Sequence, residues 1–278
     1  MALRRALLLG LVQGPTEVLP VSSSAHVALL ARAAGKLDVW EEPELRNSLE
    51  VALHAGAAAA LLVVLRGELA EGVRELNSQQ RLGAAALSLT PPALVGYLLE
   101  QRLERRAGRP RTVAAGLALG GAAMAWADAG PVTRRLADLK PGDGLALGIA
   151  QALALFPGVS RNGATLTAAR ARGFTREDAH ALSWRAGLPV LAGAMALKAY
   201  RIGRSRGTLA VDARDRVGRN NAQSGLSLVL AAGAGAAFLS TLACAPLLGR
   251  GPRGRPLWPF ALYRTALGVL VWRSSGSA

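Results

Sequence analysis

Two short blocks of this chain collect side chains that could handle a phosphate. The first reads Gln13-Gly-Pro15-Thr-Glu17-Val-Leu-Pro20-Val-Ser22-Ser23-Ser24-Ala-His26. Glu17 could hold a divalent cation or act as a base. Gln13 lies four residues before it, so the two share a face if the stretch is helical; Pro15 between them makes that geometry conditional. Serine after Pro20 is a favourable helix N-cap, and the first turn of such a helix offers free N–H groups and a partial positive charge to an anion. His26 would sit on that turn, able to take or give a proton near neutral pH. The second block reads Phe156-Pro157-Gly158-Val159-Ser160-Arg161-Asn162-Gly163-Ala164-Thr165. Ser160 can cap a helix running on through Thr165. Arg161 would then place a cation at the helix end that disfavours one, a conflict relieved if a phosphate lies between the N–H groups and the planar guanidinium. Plainer roles stand beside these: Glu17 as a hydrogen-bond acceptor facing a wet crevice, and Arg161 as the interfacial end of a span.

The two blocks are related. Gly10-Leu-Val-Gln13 leads to Pro20-Val-Ser22, and Gly148-Ile-Ala-Gln151 leads to Pro157-Gly-Val-Ser160, with Gly158 as one inserted residue. Each is an apolar segment broken at a proline and followed by polar residues. Paired broken segments in two halves of a membrane protein point to a site where the halves meet.

The surrounding elements must be membrane helices. The apolar set makes up 51% of the 278 residues and charged residues 18%, and mean hydropathy is +0.27, which excludes a disordered chain. The charges cluster. Residues 6–31 carry only Glu17, residues 256–272 only Arg264, and 51–65, 82–99, 112–127, 144–160 and 220–249 carry none. A spanning helix needs about 20 mostly apolar residues. The reading is an all-α polytopic membrane protein with about six to eight membrane segments, one membrane domain over 1–278 with halves of roughly 1–135 and 136–278. Many runs rest on Ala and Gly, which let helices approach closely in lipid. A carboxylate inside such a run costs about 2.5–3.5 kcal/mol on insertion scales, which marks Glu17 as functional by default.

The net charge is +15, and all Lys+Arg residues but Lys36, Lys140 and Lys198 are arginines. They fall between the apolar runs, where they meet lipid headgroups; no nucleic-acid motif accompanies them, so nucleic acid is not expected as a partner. The connections 66–81, 100–111 and 130–143 read as short Arg-rich loops, and 201–219 as a long exposed one. Trp258 and Trp272 bracket the last run as interfacial anchors would. Gln13, Glu17 and the serines argue against a cleavable signal peptide at the N-terminus. Cys244 reads as a packing residue, His54 as a packed or crevice histidine, and His180 as part of a solvated loop or helix start. No P-loop, dinucleotide fingerprint or Cys/His metal cluster is present.

The two blocks resemble the paired signature motifs of the undecaprenyl-diphosphatase (bacitracin-resistance) family, and Leu49-Glu-Val-Ala-Leu-His54-Ala-Gly resembles the family's next helix. The resemblance implies a bacterial inner-membrane enzyme that hydrolyses undecaprenyl diphosphate to undecaprenyl phosphate and inorganic phosphate, recycling the lipid carrier of cell-wall synthesis. It also implies an active site open to the extracytoplasmic side, a divalent cation such as Mg²⁺ or Ca²⁺, two inverted-topology halves with re-entrant broken helices, and often a homodimer. The chain departs from the family pattern at Gln13, where a second carboxylate is common, at Ala25 for Gly, at Asn162 for Ser, and at His54 for Gln.

A mechanism can be written on the residues alone. The diphosphate docks between two helix starts, at Ser22–Ser24 and Ser160–Asn162 with Thr165 behind. Arg161 and a cation held by Glu17 and Gln13 neutralise the charge that develops on the phosphate oxygens. The nucleophile is Ser23 activated by His26, water, or His26 itself. A secondary transporter or polyprenyl-phosphate flippase would suit broken helices equally; the Arg161 and Glu/Ser/His grouping favours phosphate chemistry.

Overall fold

The computed structural model describes residues 2–33, 43–107, 109–211, 220–250 and 254–275. They are helical throughout, with no strand longer than the single Arg134–Phe174 bridge among the described residues. The helices are α1 (Ala2–Val18), α2 (Ser23–Ala33), α3 (Pro43–Val64), α4 (Arg66–Arg74), α5 (Gln79–Ala107), α6 (Pro110–Asp128), α7 (Pro141–Leu153), α8 (Arg161–Ala171), α9 (Arg176–Val211), α10 (Asn220–Ala243), α11 (Ala245–Arg250) and α12 (Trp258–Ser274). Among the described residues, three helices are long and apolar enough to cross a membrane: Leu45–Val64, Gln79–Leu99 and Gly225–Ala243. Exposed Leu8, Leu11, Leu94, Leu98, Leu119, Leu239 and Leu270 suit a lipid-facing surface, and Trp258 and Trp272 stand exposed at the two ends of α12.

Several connections fold further than expected. The 66–81 stretch contains α4, and α5 continues to Ala107. Residues 201–211, expected in an exposed loop, extend α9; residues 212–219 lie outside the described residues. At 100–107 the cause is simple: Glu, Gln, Arg and Leu are good helix formers, and mixed charge does not end a helix.

Both broken segments are present. α1 stops at Val18 and α2 starts at Ser23; α7 stops at Leu153 and α8 starts at Arg161. Each break turns through one left-handed residue, Ser22 (φ 76°) in the first and Gly158 (φ 85°) in the second. Glycine adopts that conformation freely, whereas at serine it is strained. The helices before the breaks lie close to their neighbours. A Cβ on Gly10 would come within 2.5 Å of the Gly233 carbonyl on α10, and one on Gly148 would collide with the Leu87 carbonyl on α5. Small residues thus set the helix spacing where lipid supplies no hydrophobic drive.

Pro15 lies inside α1 rather than early in it. It leaves the Leu11 carbonyl without an intrahelical donor, and Ser240 Oγ on α10 donates to that carbonyl at 2.6 Å. The helix therefore runs on to carry Gln13 and Glu17 on one face.

At one polar end, outside the apolar spans, two buried carboxylates gather arginines. Asp128 accepts from Arg170, Arg176 and the Leu257 N–H. Asp143 accepts from Arg134, Arg172 and the Lys140 N–H at 2.6–2.8 Å. Burial alone would raise the Asp143 carboxyl, but these donors outweigh it and hold it below the ordinary carboxylate value. Such a group contributes stability above its unfolded-state value and loses it as pH falls through the lower folded one. Asp143→Ala should lower stability near neutral pH by about 3–5 kcal/mol, because two guanidinium groups lose their buried partner. The deficit should shrink as pH falls below about 3.9. Melting midpoints in detergent across pH, for both proteins, check this; a deficit independent of pH would contradict it.

Candidate active site

Glu17 is buried, 8% exposed, on the last turn of α1. Its Oε2 accepts from Gln13 Nε2 at 3.0 Å and from Ser23 Oγ at 2.6 Å. Its Oε1 accepts from Arg161 Nη2 at 3.2 Å. The structure thus joins the carboxylate of the first block, the hydroxyl that opens α2 and the cation that opens α8. A neutral isostere could not replace Glu17 without leaving Arg161 uncompensated in a buried place.

Ser160 caps α8 as the sequence suggests, its Oγ accepting from the Gly163 N–H at 3.1 Å. Arg161, the first residue of that helix, lies over the Trp184 ring at 5.7 Å. Gly187 leaves it room, since a Cβ there would overlap Nη1. That Nη1 is buried and makes no hydrogen bond among the described residues, so one edge of the fork is committed to Glu17 and the other is not committed to any acceptor.

Asn162 faces away from this edge. Its Nδ2 donates to the Val18 carbonyl at 3.0 Å and its Oδ1 accepts from Ser183 at 2.9 Å. Thr165 shares a 2.6 Å hydrogen bond with Ser183. Both residues, expected at the phosphate, tie α8 to α1 and α9. Ser22 is 2% exposed, and its Oγ lies 3.4 Å from Ser24 Oγ.

His26 is on α2, and its hydrogen bonds go elsewhere than to Ser23. Nδ1 faces the Ser22 carbonyl at 2.8 Å, so it carries the proton, and Nε2 accepts from Tyr263 O–H at 2.6 Å. The two rings stack, 5.6 Å between centroids and 13° between planes. The hydroxyl of Ser23 is engaged by Glu17 instead.

Sequence reasoning missed several participants. His54 Nε2 lies 3.9 Å from Glu17 Oε2, with Nδ1 donating to the Glu50 carbonyl; it is a site neighbour, not merely a packing residue. Tyr263 has no signal in the sequence, because the contact spans 237 residues. Arg264 had one, as the only charge in its apolar run. His180 lies at the start of α9, one of the two places expected for it, but it is 3% exposed rather than solvated.

The residues present suit a hard cation. No group of three His, Cys, Asp or Glu side chains able to hold a metal occurs among the described residues. Beside the Glu17 carboxylate, however, Gln13 Oε1 is buried with no partner among the described residues. A carboxylate and an amide oxygen are the donor type that Mg²⁺ and Ca²⁺ take, with phosphate oxygens and water completing the set.

Comparison with known proteins places this geometry. Residues 6–270 match the family described as Bacitracin resistance protein BacA. The chain is 33% identical over 277 residues to an undecaprenyl-diphosphatase of Chromohalobacter salexigens, covering 95% of this chain and 96% of that protein. It is 36% identical over 283 residues to one of Geobacter sulfurreducens, covering 98% and 97%, and 41% identical over 208 residues to one of Geobacter metallireducens, covering 69% and 74%. Its apolar helices make it a multi-pass membrane protein, and a match that takes in both blocks, α12 and nearly everything between places the chain in the BacA bacitracin-resistance family.

Proposed function

We propose that this protein is an undecaprenyl-diphosphate phosphatase of the bacterial inner membrane, releasing inorganic phosphate on the extracytoplasmic side and thereby supporting bacitracin resistance. The names of its relatives support the reaction. The observation that carries it is the 2.6 Å hydrogen bond from Ser23 to Glu17 beside a guanidinium with one edge uncommitted. On this reading the two halves are inverted in topology and the two breaks are re-entrant, so that α2 and α8 both start at the site.

The terminal phosphate docks against the starts of α2 and α8, on Arg161 Nη1. Ser23 Oγ attacks the terminal phosphorus and its proton passes to Glu17 Oε2. The P–Oγ bond forms as the bond to the bridging oxygen breaks, and undecaprenyl phosphate leaves with the electron pair. Water then attacks the phosphoserine, its proton taken by the His26–Tyr263 pair; the P–Oγ bond breaks, Ser23 Oγ recovers its proton from Glu17, and inorganic phosphate departs. Arg161 stabilises the charge gathering on the equatorial oxygens in both steps. A divalent cation, when bound, would supply further neutralisation there; Glu17 and Gln13 Oε1 would hold it.

Phosphate release from a C55 diphosphate lipid by the purified protein tests the reading, and the activity should fall away in excess EDTA. No release with any cation would leave a flippase or transporter as the better account. Arg161→Lys keeps the charge but loses the fork, so turnover should drop at least about tenfold, or about 1.4 kcal/mol. Ser23→Ala should abolish turnover while substrate binding survives, and rapid quench of the wild type should trap phosphoserine. A loss of only about threefold to tenfold would mean that water attacks directly and Ser23 contributes a hydrogen bond.

A further inference from the structure

Arg264 is 1% exposed, among the largest fully buried side chains of the protein. Its surroundings differ from those of the comparably buried Arg170, which is 2% exposed. Arg170 donates to the Asp128 carboxylate and to the carbonyls of Asp128, Gly130 and Phe174. Arg264 has no carboxylate within ion-pair distance among the described residues. Nη2 makes a long 3.5 Å hydrogen bond to the Gly158 carbonyl, and Nε is buried with no partner among the described residues.

The guanidinium occupies a slot cleared by glycine on two helices. A Cβ at Gly120 on α6 would overlap Nη2, and one at Gly163 on the first turn of α8 would overlap Nη1. That turn is the positive end of a helix that already carries Arg161. The preceding residue on α12, Tyr263, holds His26. One helix therefore brings adjacent residues to the imidazole of the first block and to the capped helix start of the second. Two arginines on a positive helix end, with Glu17 bonded to one of them alone, leave an excess of positive charge in a buried place. An isolated charge buried in that way is strongly unfavourable, and a diphosphate carries the opposite charge needed to offset it.

We propose that Arg264 is a second phosphate-binding guanidinium, contacting the diphosphate group of the substrate from α12 while Arg161 contacts it from α8. The inference rests on the phosphatase reading for its substrate. The buried, under-bonded cation argues independently for an anion.

The test uses the full-length protein in detergent, with inorganic pyrophosphate as the binding probe and C55 diphosphate as substrate. Pyrophosphate should raise the melting temperature of the wild type. In Arg264→Gln that rise should disappear, and turnover should fall about ten- to a hundredfold. Guanidinium ion should restore part of the activity of Arg264→Ala, which a packing role would not predict. Unchanged turnover together with an unchanged pyrophosphate shift in Arg264→Gln would overturn the proposal. If the Gln variant melts too low to assay, Arg264→Lys keeps the charge without the fork; wild-type turnover and a wild-type pyrophosphate shift in that variant would overturn it equally. If the wild type releases no phosphate from the lipid, the phosphatase reading fails. The pyrophosphate shift of wild type against Arg264→Gln then still decides whether Arg264 lies in an anion site.

Discussion

The ion pair between Glu17 and Arg161 holds together residues 144 positions apart in the chain. Both side chains are largely buried, 7% and 16% exposed. Neither charge could be tolerated there alone, because removing one partner of a buried pair costs about 3–5 kcal/mol. The rest of the interior is arranged around this constraint. Asn162 straps α8 to the end of α1 through the Val18 carbonyl, Gly187 clears space for the guanidinium, and the left-handed Ser22 turns the chain so that Ser23 meets the carboxylate. The site is the junction of the two broken segments.

That arrangement separates roles among the polar residues of the two blocks. Ser23, Glu17 and Arg161 form one connected chain of hydrogen bonds. His26 belongs to a neighbouring unit with Tyr263 and the Ser22 carbonyl. Asn162, Thr165 and Ser183 form a third, buried and satisfied internally. A satisfied buried network rigidifies what it joins, which suits a site that must hold its side chains in fixed positions.

Much of this was legible before any coordinates. An intramembrane carboxylate, a proline-broken apolar segment and an arginine at a capped helix start are local signals, and each can be read from a window of about ten residues. The Ser160 cap and the shared face of Gln13 and Glu17 follow from such windows. What was not legible depends on partners far away in sequence. The hydroxyl of Ser23 had two candidate neighbours, and only the path of the chain through Ser22 decides between Glu17 and His26. Tyr263 and His54 look unremarkable in their own helices. Arg264 could have been found by the argument applied to Glu17, since a lone charge in an apolar run demands a reason whatever its sign. The 100–111 connection was misread because its charge pattern suggested a loop, whereas helical propensity carried α5 on to Ala107.

The hydroxyl that Ser240 lends to α1 has a bearing on how the chain is made. Pro15 leaves the Leu11 carbonyl open, and its donor lies 229 residues later. A nascent α1 in lipid therefore keeps a polar gap until α10 arrives. The glycine contact between Gly10 and Gly233 closes along the same seam. α1 thus reaches its final packing only once α10, 229 residues further along the chain at Ser240, has been made. Until α10 docks, an α1 with an unsatisfied carbonyl and a buried carboxylate is the segment of this protein with most reason to remain near water, or in the keeping of the insertion machinery.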